Sequence, residues 1–286
     1  HHRSSAASDV YKRQALSNAP TLVSGTTYEI DFNGVDAAGN AATEVSVTGI
    51  FFDTTVPADF TVGSVITTGG TVTAGKWNST NTGINVTVPL PNDATLIDGT
   101  LQIRANVASG GYENLGSAQT ISSGEQGTSK TVSFNAATFE ALSSGISDGE
   151  SILFTAIITD KAGNATTGTQ SGTSITFDQS VPAFSSLSPS SNSSVKVADV
   201  GYTLSEAIAS GTVTYTRTGG TADGSSPHTQ SLSGGELSSG ARSLAALSNA
   251  PTLVSGATYT IAFNGVDASG NAATEVSVTG IFFDTT

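Results

Sequence analysis

The chain has 286 residues, of which only 12% are charged, and its formal net charge at pH 7 is −13. This acidity excludes binding to nucleic acid or to anionic membranes, because both are negatively charged. The sequence contains no Cys, which excludes disulfides, thiolate metal sites and cysteine nucleophiles. No apolar run approaches the roughly 18 residues that a membrane helix needs, so we expect no membrane insertion.

The first fourteen residues differ in character from the rest. Ser4–Gln14 reads SSAASDVYKRQ, which resembles the translated sequence of a transposase adapter used in DNA library preparation. We interpret residues 1–14 as a non-native segment and exclude them from the fold prediction. Because the chain also contains no Met, we expect it to be a piece of a longer protein.

Apolar residues alternate with polar ones along many short segments, which is typical of strands with one buried face. The predicted strands are, in chain order, 28–32, 45–52, 83–90, 100–107, 130–134, 152–158, 175–177, 201–206, 212–217 and 259–263. Turn residues separate these segments and no long helical pattern interrupts them, so the sequence predicts an all-β fold. We expect Trp77 and the aromatic strand residues to form the core.

An internal repeat organises these strands. Residues 15–55 and 246–286 differ at four of their 41 positions. The four pairs are Thr26/Ala257, Glu29/Thr260, Asp31/Ala262 and Ala38/Ser269. A diverged third copy begins at Ile152. Each copy holds the pattern Asp-x-x-Gly-Asn, which predicts a tight turn between the last two strands.

A Phe-Asp pair ends each copy, and the successive pairs are 125 and 106 residues apart. Each spacing fits one β-sandwich of roughly 100 residues. We therefore predict the C-terminal part of one domain at 15–56, a complete domain at 57–182 and another at 183–286. Residues 15–56 hold too few strands to close a sandwich, so we expect them to be poorly ordered or to pair with another chain through their open edge.

The Asp-x-x-Gly-Asn turn followed by Phe-Asp-Thr-Thr resembles the bacterial Ig-like repeats of large surface adhesins and other secreted proteins. Tyr-x-Ile-x-Phe before Asp36 and Asp267 carries the resemblance, which covers residues 15–286. It implies tandem immunoglobulin-like β-sandwich domains with Greek-key topology, at the cell surface or outside the cell. It also implies that the repeats act as spacers or adhesive modules.

The residue inventory predicts no enzyme. His228 lies in a loop rich in Gly, Ser and Asp, and the other two histidines belong to the excluded segment. No serine lies in the pattern G-x-S-x-G. Pairs of acidic residues are common, but pairing alone does not indicate a glycosidase.

The one kind of metal site that the sequence predicts is a calcium site at the domain junctions. The turn between the last two strands and the loop between the second and third strands lie at the same pole, facing the linker from the preceding domain. We therefore expect two groups of candidate ligands. The first junction would bring together Asp53, Asn92, Asp93, Asp160 and Asn164, and the second would bring together Asp178, Glu206, Asp267 and Asn271. Several carboxylates with amide and backbone oxygens suit Ca²⁺, whereas Mg²⁺ needs a tighter octahedron.

One other interpretation stays open at this point. The Asp and Asn side chains can simply cap backbone N–H groups in their turns. Cadherin-like proteins bind calcium at their linkers in the proposed manner, but their ligand motifs differ from those found here. If calcium binds, it neutralises the converging carboxylates and stiffens the joint between neighbouring domains.

The predicted function is that of a structural extender in a secreted or cell-surface adhesin. An accessory spacer in a secreted multidomain enzyme, or a carbohydrate-binding module, is the alternative. The expected partners are the neighbouring repeats of the same chain, together with surface or matrix glycans or proteins that bind through domains outside this sequence.

Overall fold

The computed structural model of the protein describes residues 16–142 and 145–286. The segment 1–14, interpreted above as non-native, lies outside the described residues. Strands supply nearly all of the regular structure, which confirms the all-β prediction. In the described part of the chain, no helix combines the length and apolar character that crossing a bilayer requires.

The first described unit is a single antiparallel hairpin. Strand β1 (Thr26–Phe32) pairs with β2 (Val45–Phe52), and the register shifts between Tyr28 and Ile30. We call residues 16–55 the first hairpin.

Residues 57–182 form two sheets that face each other across one core. The strands are β3 (Val65–Thr68), β4 (Lys76–Trp77), β5 (Gly83–Pro89), β6 (Thr100–Val107), β7 (Tyr112–Asn114), β8 (Gln119–Thr120), β9 (Ser129–Asn135), β10 (Ser151–Thr159), β11 (Ala165–Thr167) and β12 (Ile175–Phe177), and a short helix, α1, spans Ala136–Glu140. One sheet has the order β3-β5-β9 and the other β4-β12-β10-β6-β7, with β11 beside β10 and β8 beside β6. Successive strands therefore cross between the sheets, as Greek-key topology requires.

Residues 183–286 repeat this arrangement. The strands are β13 (Phe184–Ser188), β14 (Ser194–Val195), β15 (Val200–Leu204), β16 (Ser210–Gly220), β17 (His228–Ser231), β18 (Gly240–Ala245), β19 (Ala257–Val266) and β20 (Val276–Phe283). The two sheets have the orders β13-β15-β18 and β14-β20-β19-β16-β17. We call residues 246–286 the last hairpin, since it contains β19 and β20.

The alternating apolar residues fill two separate cores. One core draws on residues between Phe60 and Phe177, and the other on residues between Phe184 and Phe283. Trp77, predicted as a core residue, is fully buried and packs against Phe139 with ring centroids 4.5 Å apart. Each core takes side chains from both of its sheets, which is how a β-sandwich buries its apolar faces.

Several features of the fold differ from the predicted strand pattern. In residues 57–182 the last strand is divided into β11 and β12, and β12 pairs in parallel with the two-residue strand β4. In residues 183–286, β20 pairs in parallel with the equally short β14. Two-residue strands carry no recognisable alternation, so the sequence pattern could not indicate them.

The first and last hairpins share their sequence but not their environment. Phe263 and Ile261 are 0% and 2% exposed, whereas their counterparts Phe32 and Ile30 are 58% and 42% exposed. The last hairpin packs against strands β13–β18, while the first hairpin forms a two-stranded sheet of its own among the described residues. Its inward-facing apolar side chains are therefore left in water.

This contrast gives a matched pair of substitutions. Phe263→Ala is expected to lower the free energy of unfolding of the last domain by about 3–5 kcal/mol, because it deletes a buried aromatic ring. Phe32→Ala is expected to change the stability of the chain by about 0.5 kcal/mol or less, because that ring is already in water. Urea unfolding followed by circular dichroism measures both, and similar losses for the two variants would contradict the difference in burial.

Candidate functional site at the domain junctions

The three Asp-x-x-Gly-Asn turns share one hydrogen-bond pattern. In the last hairpin, Asp267 Oδ1 accepts from the backbone N–H groups of Ser269 and Asn271, both at 2.8 Å. Asp267 Oδ2 accepts from the side-chain amide of Asn271, also at 2.8 Å. Asp36 with Asn40 and Asp160 with Asn164 form the same backbone and side-chain bonds. The capping role of these residues is therefore present in all three turns.

The glycine of each turn has a left-handed backbone conformation. Its φ is +91° at Gly39, +99° at Gly163 and +95° at Gly270. At Gly270 the surroundings add a second constraint, because a Cβ atom there would lie 2.9 Å from Asn78 Nδ2. Glycine is thus required at this position both by conformation and by the closeness of the preceding domain.

The asparagine of each turn also reaches back to the linker that leaves the preceding domain. At the first junction, Asn164 Nδ2 donates to the backbone oxygen of Asp53 at 3.1 Å. At the second junction, Asn271 Nδ2 donates to the backbone oxygen of Asp178 at 3.0 Å. The same bond therefore connects equivalent residues at both junctions.

The second junction has further polar contacts. Ser269 Oγ donates to Asp178 Oδ2 at 2.6 Å. The backbone oxygen of Ser269 accepts from Asn78 Nδ2 at 2.8 Å. The backbone N–H of Ser79 donates to Asn271 Oδ1 at 2.8 Å. Asn78 and Asn271 are both fully buried, so the bond between Asn78 and Ser269 is shielded from water and the other two are partly shielded. The turn of the last domain is thereby docked onto a loop of the domain before it.

Three carboxylates converge beside this turn. Those of Asp178, Glu206 and Asp267 each place an oxygen within 4.8 Å of the others, and they form the only such acidic group in residues 16–142 and 145–286. Burial raises the pKa of Glu206 above its usual range, and repulsion from the nearby carboxylates raises it further. Asp178, Asp267 and Asp148 supply this repulsion. Negative charge is therefore concentrated at the second junction.

The acidic residues predicted for the first junction do not gather in the same way. Asp93 caps a short 3-10 turn by accepting from Thr95, and Asn92 lies beside Gly127. Asp160 is occupied by its own turn, and Asp53 Oδ1 accepts from Ser24 and Thr55. At the same junction, Lys161 forms an ion pair with Asp98 at 2.8 Å. Positive charge thus accompanies the acidic residues here.

A shallow groove lies next to Lys161. It has a volume of about 520 Å³ and is lined by both domains. The lining residues include Phe51 and Asp53 of the first hairpin and Thr95 and Ile97 of the following domain. Phe51 is 47% exposed, so the groove reflects loose packing rather than an enclosed cavity.

The residues by which the preceding domain contacts the turn could not be predicted from the repeat. The loop residues Thr71, Asn78 and Ser79 contact the turn of the last domain, although no motif marked them. One signal was present: Ser269 is one of the four positions that differ between the hairpins, where the first hairpin has Ala38. The hydroxyl of Ser269 donates to the carboxylate of Asp178.

His228 has a structural role in the last domain. Its Nε2 lies 2.7 Å from Asp223 Oδ2, and the same oxygen accepts from the Tyr259 hydroxyl at 2.7 Å. The Tyr259 hydroxyl in turn accepts from the backbone N–H of Val254 at 3.0 Å. These bonds connect β17 and the loop before it to the last hairpin.

Comparisons with solved structures find similar tandem β-sandwich domains. The chain is 10% identical to the FN1–FN3 domains of chicken CNTN1, with 91% of this chain and 77% of that one covered and a TM-score of 0.34. It is 14% identical to a structure from a 1.5-MDa bacterial ice-binding adhesin, with 91% and 76% covered and a TM-score of 0.37. It is also 14% identical to fibronectin(III)-like modules of CbhA from Clostridium thermocellum, with 77% and 94% covered and a TM-score of 0.33. No protein-family model and no curated protein match the sequence.

The Asp223 contacts predict an acid-dependent loss of stability. Hydrogen bonds from His228 and Tyr259 lower the pKa of Asp223 from 3.8 to about 2. Because the pKa is lowered in the folded state, the stabilisation is complete above pH 3.8 and is lost as the pH falls through about 2. Urea titrations at a series of pH values measure this effect. Above pH 3.8 the native chain should have a higher free energy of unfolding than Asp223→Asn, and this difference in free energy should shrink as the pH falls. A constant difference would contradict this prediction.

Proposed function

We propose that the chain is a structural extender segment of an extracellular or cell-surface adhesin-type protein. The observation that carries this proposal is the recurring bond from a turn asparagine to a linker carbonyl, Asn164 to Asp53 and Asn271 to Asp178. A contact that recurs at equivalent positions sets the angle between neighbouring domains in the same way at each joint. Repetition of such a joint holds successive domains in an extended array.

The second junction is the stiffer of the two. It adds the Ser269, Asn78 and Ser79 hydrogen bonds to the shared asparagine bond. Because the Asn78 bond is buried and the other two are partly buried, bending the joint exposes or breaks polar contacts that water replaces only in part. We infer that the unit 57–286 moves nearly as one body, and that more bending occurs between the first hairpin and the domain that follows it.

Removing the junction asparagine should loosen this joint. Asn271→Ala is expected to broaden the distance distribution between spin labels placed on the two domains, at Thr131→Cys and Ser277→Cys, because the bond to Asp178 is lost. The chain has no Cys, so only the introduced thiols react. Double electron–electron resonance measures the distribution.

The control for this experiment is Asn40→Ala in the first hairpin. Asn40 makes the same bond to its own turn aspartate, at 2.8 Å, but lies outside the labelled joint. Asn40→Ala should leave the distance distribution unchanged. An equally narrow distribution for Asn271→Ala would show that the asparagine bond does not hold the joint.

We also propose that Ca²⁺ binds at the second junction. Oxygens of Asp178, Glu206 and Asp267 lie close enough to share one cation, and Ca²⁺ accepts oxygen ligands in loose geometry. Both oxygens of Asp267 already accept hydrogen bonds within the turn. No hydrogen bond from the described residues reaches Glu206, so its carboxylate is the one most available to a cation. The ion would neutralise like charges that otherwise repel across the joint.

Glu206→Gln tests the calcium proposal without disturbing the turn. The substitution removes one charge from the cluster and should weaken Ca²⁺ binding by about tenfold or more, measured by titration calorimetry on the full chain. Glu275→Gln is the matched control, because it removes the same charge from an exposed position of the same domain. Equal binding by the native chain and Glu206→Gln, or none by either, would remove calcium from the proposal and leave the asparagine joint unaffected.

A further inference from the structure

In two of the three repeats a serine holds the linker that leaves its own repeat. Ser24 Oγ accepts from the backbone N–H of Thr54 at 2.9 Å and donates to Asp53 Oδ1 at 3.0 Å. In the last domain, Ser255 Oγ donates to Asp284 Oδ1 at 3.3 Å and accepts from the next backbone N–H at 3.0 Å. Each of these linker aspartates therefore receives a hydroxyl hydrogen bond from within its own repeat.

The domain 57–182 has an aspartate, Asp148, at the position of these serines. The glycine that follows it identifies the position, because the backbone N–H of Gly149 donates to the backbone oxygen of Phe177 at 2.8 Å. Gly25 and Gly256, which follow the two serines, make the equivalent bond to the last strand of their own repeats. Asp148 is therefore the structural counterpart of the two serines.

An ionised aspartate at this position can accept hydrogen bonds but cannot donate one. Asp148 Oδ1 accepts from the backbone N–H of Gln179 at 2.7 Å, and its Oδ2 accepts from the Ser180 hydroxyl at 2.6 Å. Among the described residues up to Pro182, the carboxylate of Asp178 receives one hydrogen bond, from the backbone N–H of Ser180 at 3.2 Å. This linker aspartate thus lacks the internal hydroxyl donor that its counterparts have.

The following domain supplies that donor. Ser269 Oγ donates to Asp178 Oδ2 at 2.6 Å, and Ser269 is buried. At the first junction the same turn position holds Ala162, which has no hydroxyl, and Ser24 is the donor instead. The two junctions therefore carry matched pairs, Ser24 with Ala162 and Asp148 with Ser269.

Asp148 also brings a second negative charge to the linker that begins at Asp178. No ion pair reaches either carboxylate in the described part of the chain. Burial raises the pKa of Glu206 in the next domain, and Asp148 is among the carboxylates whose repulsion raises it further, so this charge acts across the joint. A hydrogen bond to an ionised acceptor is stronger than one between neutral groups. The Ser269 hydroxyl therefore supports a carboxylate that lies among like charges.

We propose that Asp148 and Ser269 form a pair that selects the neighbour of the domain 57–182. With aspartate at position 148, the linker carboxylate is left for the next repeat, and the repeat that fits is one whose turn reads Asp-x-Ser-Gly-Asn. Serine at this position, as at Ser24, satisfies the linker aspartate internally and accepts a turn without a hydroxyl. This inference rests on the proposed extender function, because it assigns how one joint of the array chooses the next repeat.

Hydrogen exchange of the Ser79 amide measures how often this joint opens, because its acceptor, Asn271 Oδ1, lies 2.8 Å away in the other domain. The exchange rate is read by NMR on the full chain. Ser269→Ala should raise it about tenfold, because a hydrogen bond to a charged acceptor is lost. In a chain that also carries Asp148→Ser, Ser269→Ala should raise the rate about threefold or less, because the introduced hydroxyl donates to Asp178 and one negative charge is gone.

The effect of Ser269→Ala is taken as a ratio of rates within each background, so any effect of Asp148→Ser alone cancels. Asp148 is exposed, and the other two repeats have serine at its position, so the substitution is compatible with the fold. Ser255→Ala is the matched control. It removes the same kind of bond from the linker aspartate at the far pole of the last domain and should leave the exchange of Ser79 unchanged.

Equal ratios for Ser269→Ala in the two backgrounds would overturn the proposal, because Asp148 would then have no influence on the bond. An unchanged rate for Ser269→Ala in the native background, or an equal rise with Ser255→Ala, would also overturn it. The distance measurement on Asn271→Ala tests the proposed function separately. A broadened distribution there, together with equal ratios here, would leave the asparagine joint standing and remove only the selecting pair.

Discussion

The arrangement of the domains depends on one small motif, the Asp-x-x-Gly-Asn turn. Its aspartate organises the turn from within, and its asparagine then has one amide hydrogen free to reach the linker carbonyl of the preceding domain. The same five residues therefore shape a hairpin and form a joint. Glycine supplies the left-handed backbone in all three turns, and at Gly270 it also leaves room for the neighbouring loop.

Most of the long strands were predictable from the sequence, because alternation and turn residues are local signals. The segments 83–90, 100–107 and 130–134 correspond to β5, β6 and β9, and the resemblance to bacterial Ig-like repeats implied their sandwich topology. The two-residue parallel strands β4 and β14 were not predictable, since their pairing depends on a last strand more than eighty residues away. Such contacts follow from the closed sandwich and not from any local pattern.

The junction was predicted only in part, for a similar reason. The turn pattern indicated that Asp178, Glu206 and Asp267 would approach one another, and their carboxylates do so. The same pattern grouped Asp53, Asn92, Asp93, Asp160 and Asn164. Asn164 does connect the Asp160 side chain to the Asp53 backbone oxygen, whereas Asn92 and Asp93 lie in separate local contacts. Thr95 engages the Asp93 carboxylate, and Lys161 brings a positive charge that pairs with Asp98. Thr95 lies outside the repeated motif, and Lys161 occupies one of its variable positions.

The parallel pairing of the last strand in each domain has a mechanical consequence. The backbone N–H groups of Thr176 and Asp178 donate to Gly75 and Trp77, while those of Phe282 and Asp284 donate to Ser193 and Val195. When the two ends of a chain are pulled apart, parallel strands near opposite ends are drawn in opposite directions. Their hydrogen bonds are then loaded in shear and must break together, whereas an antiparallel hairpin opened from its ends unzips one bond at a time. Each complete domain is therefore closed by the bond geometry that best resists tension along an extended array.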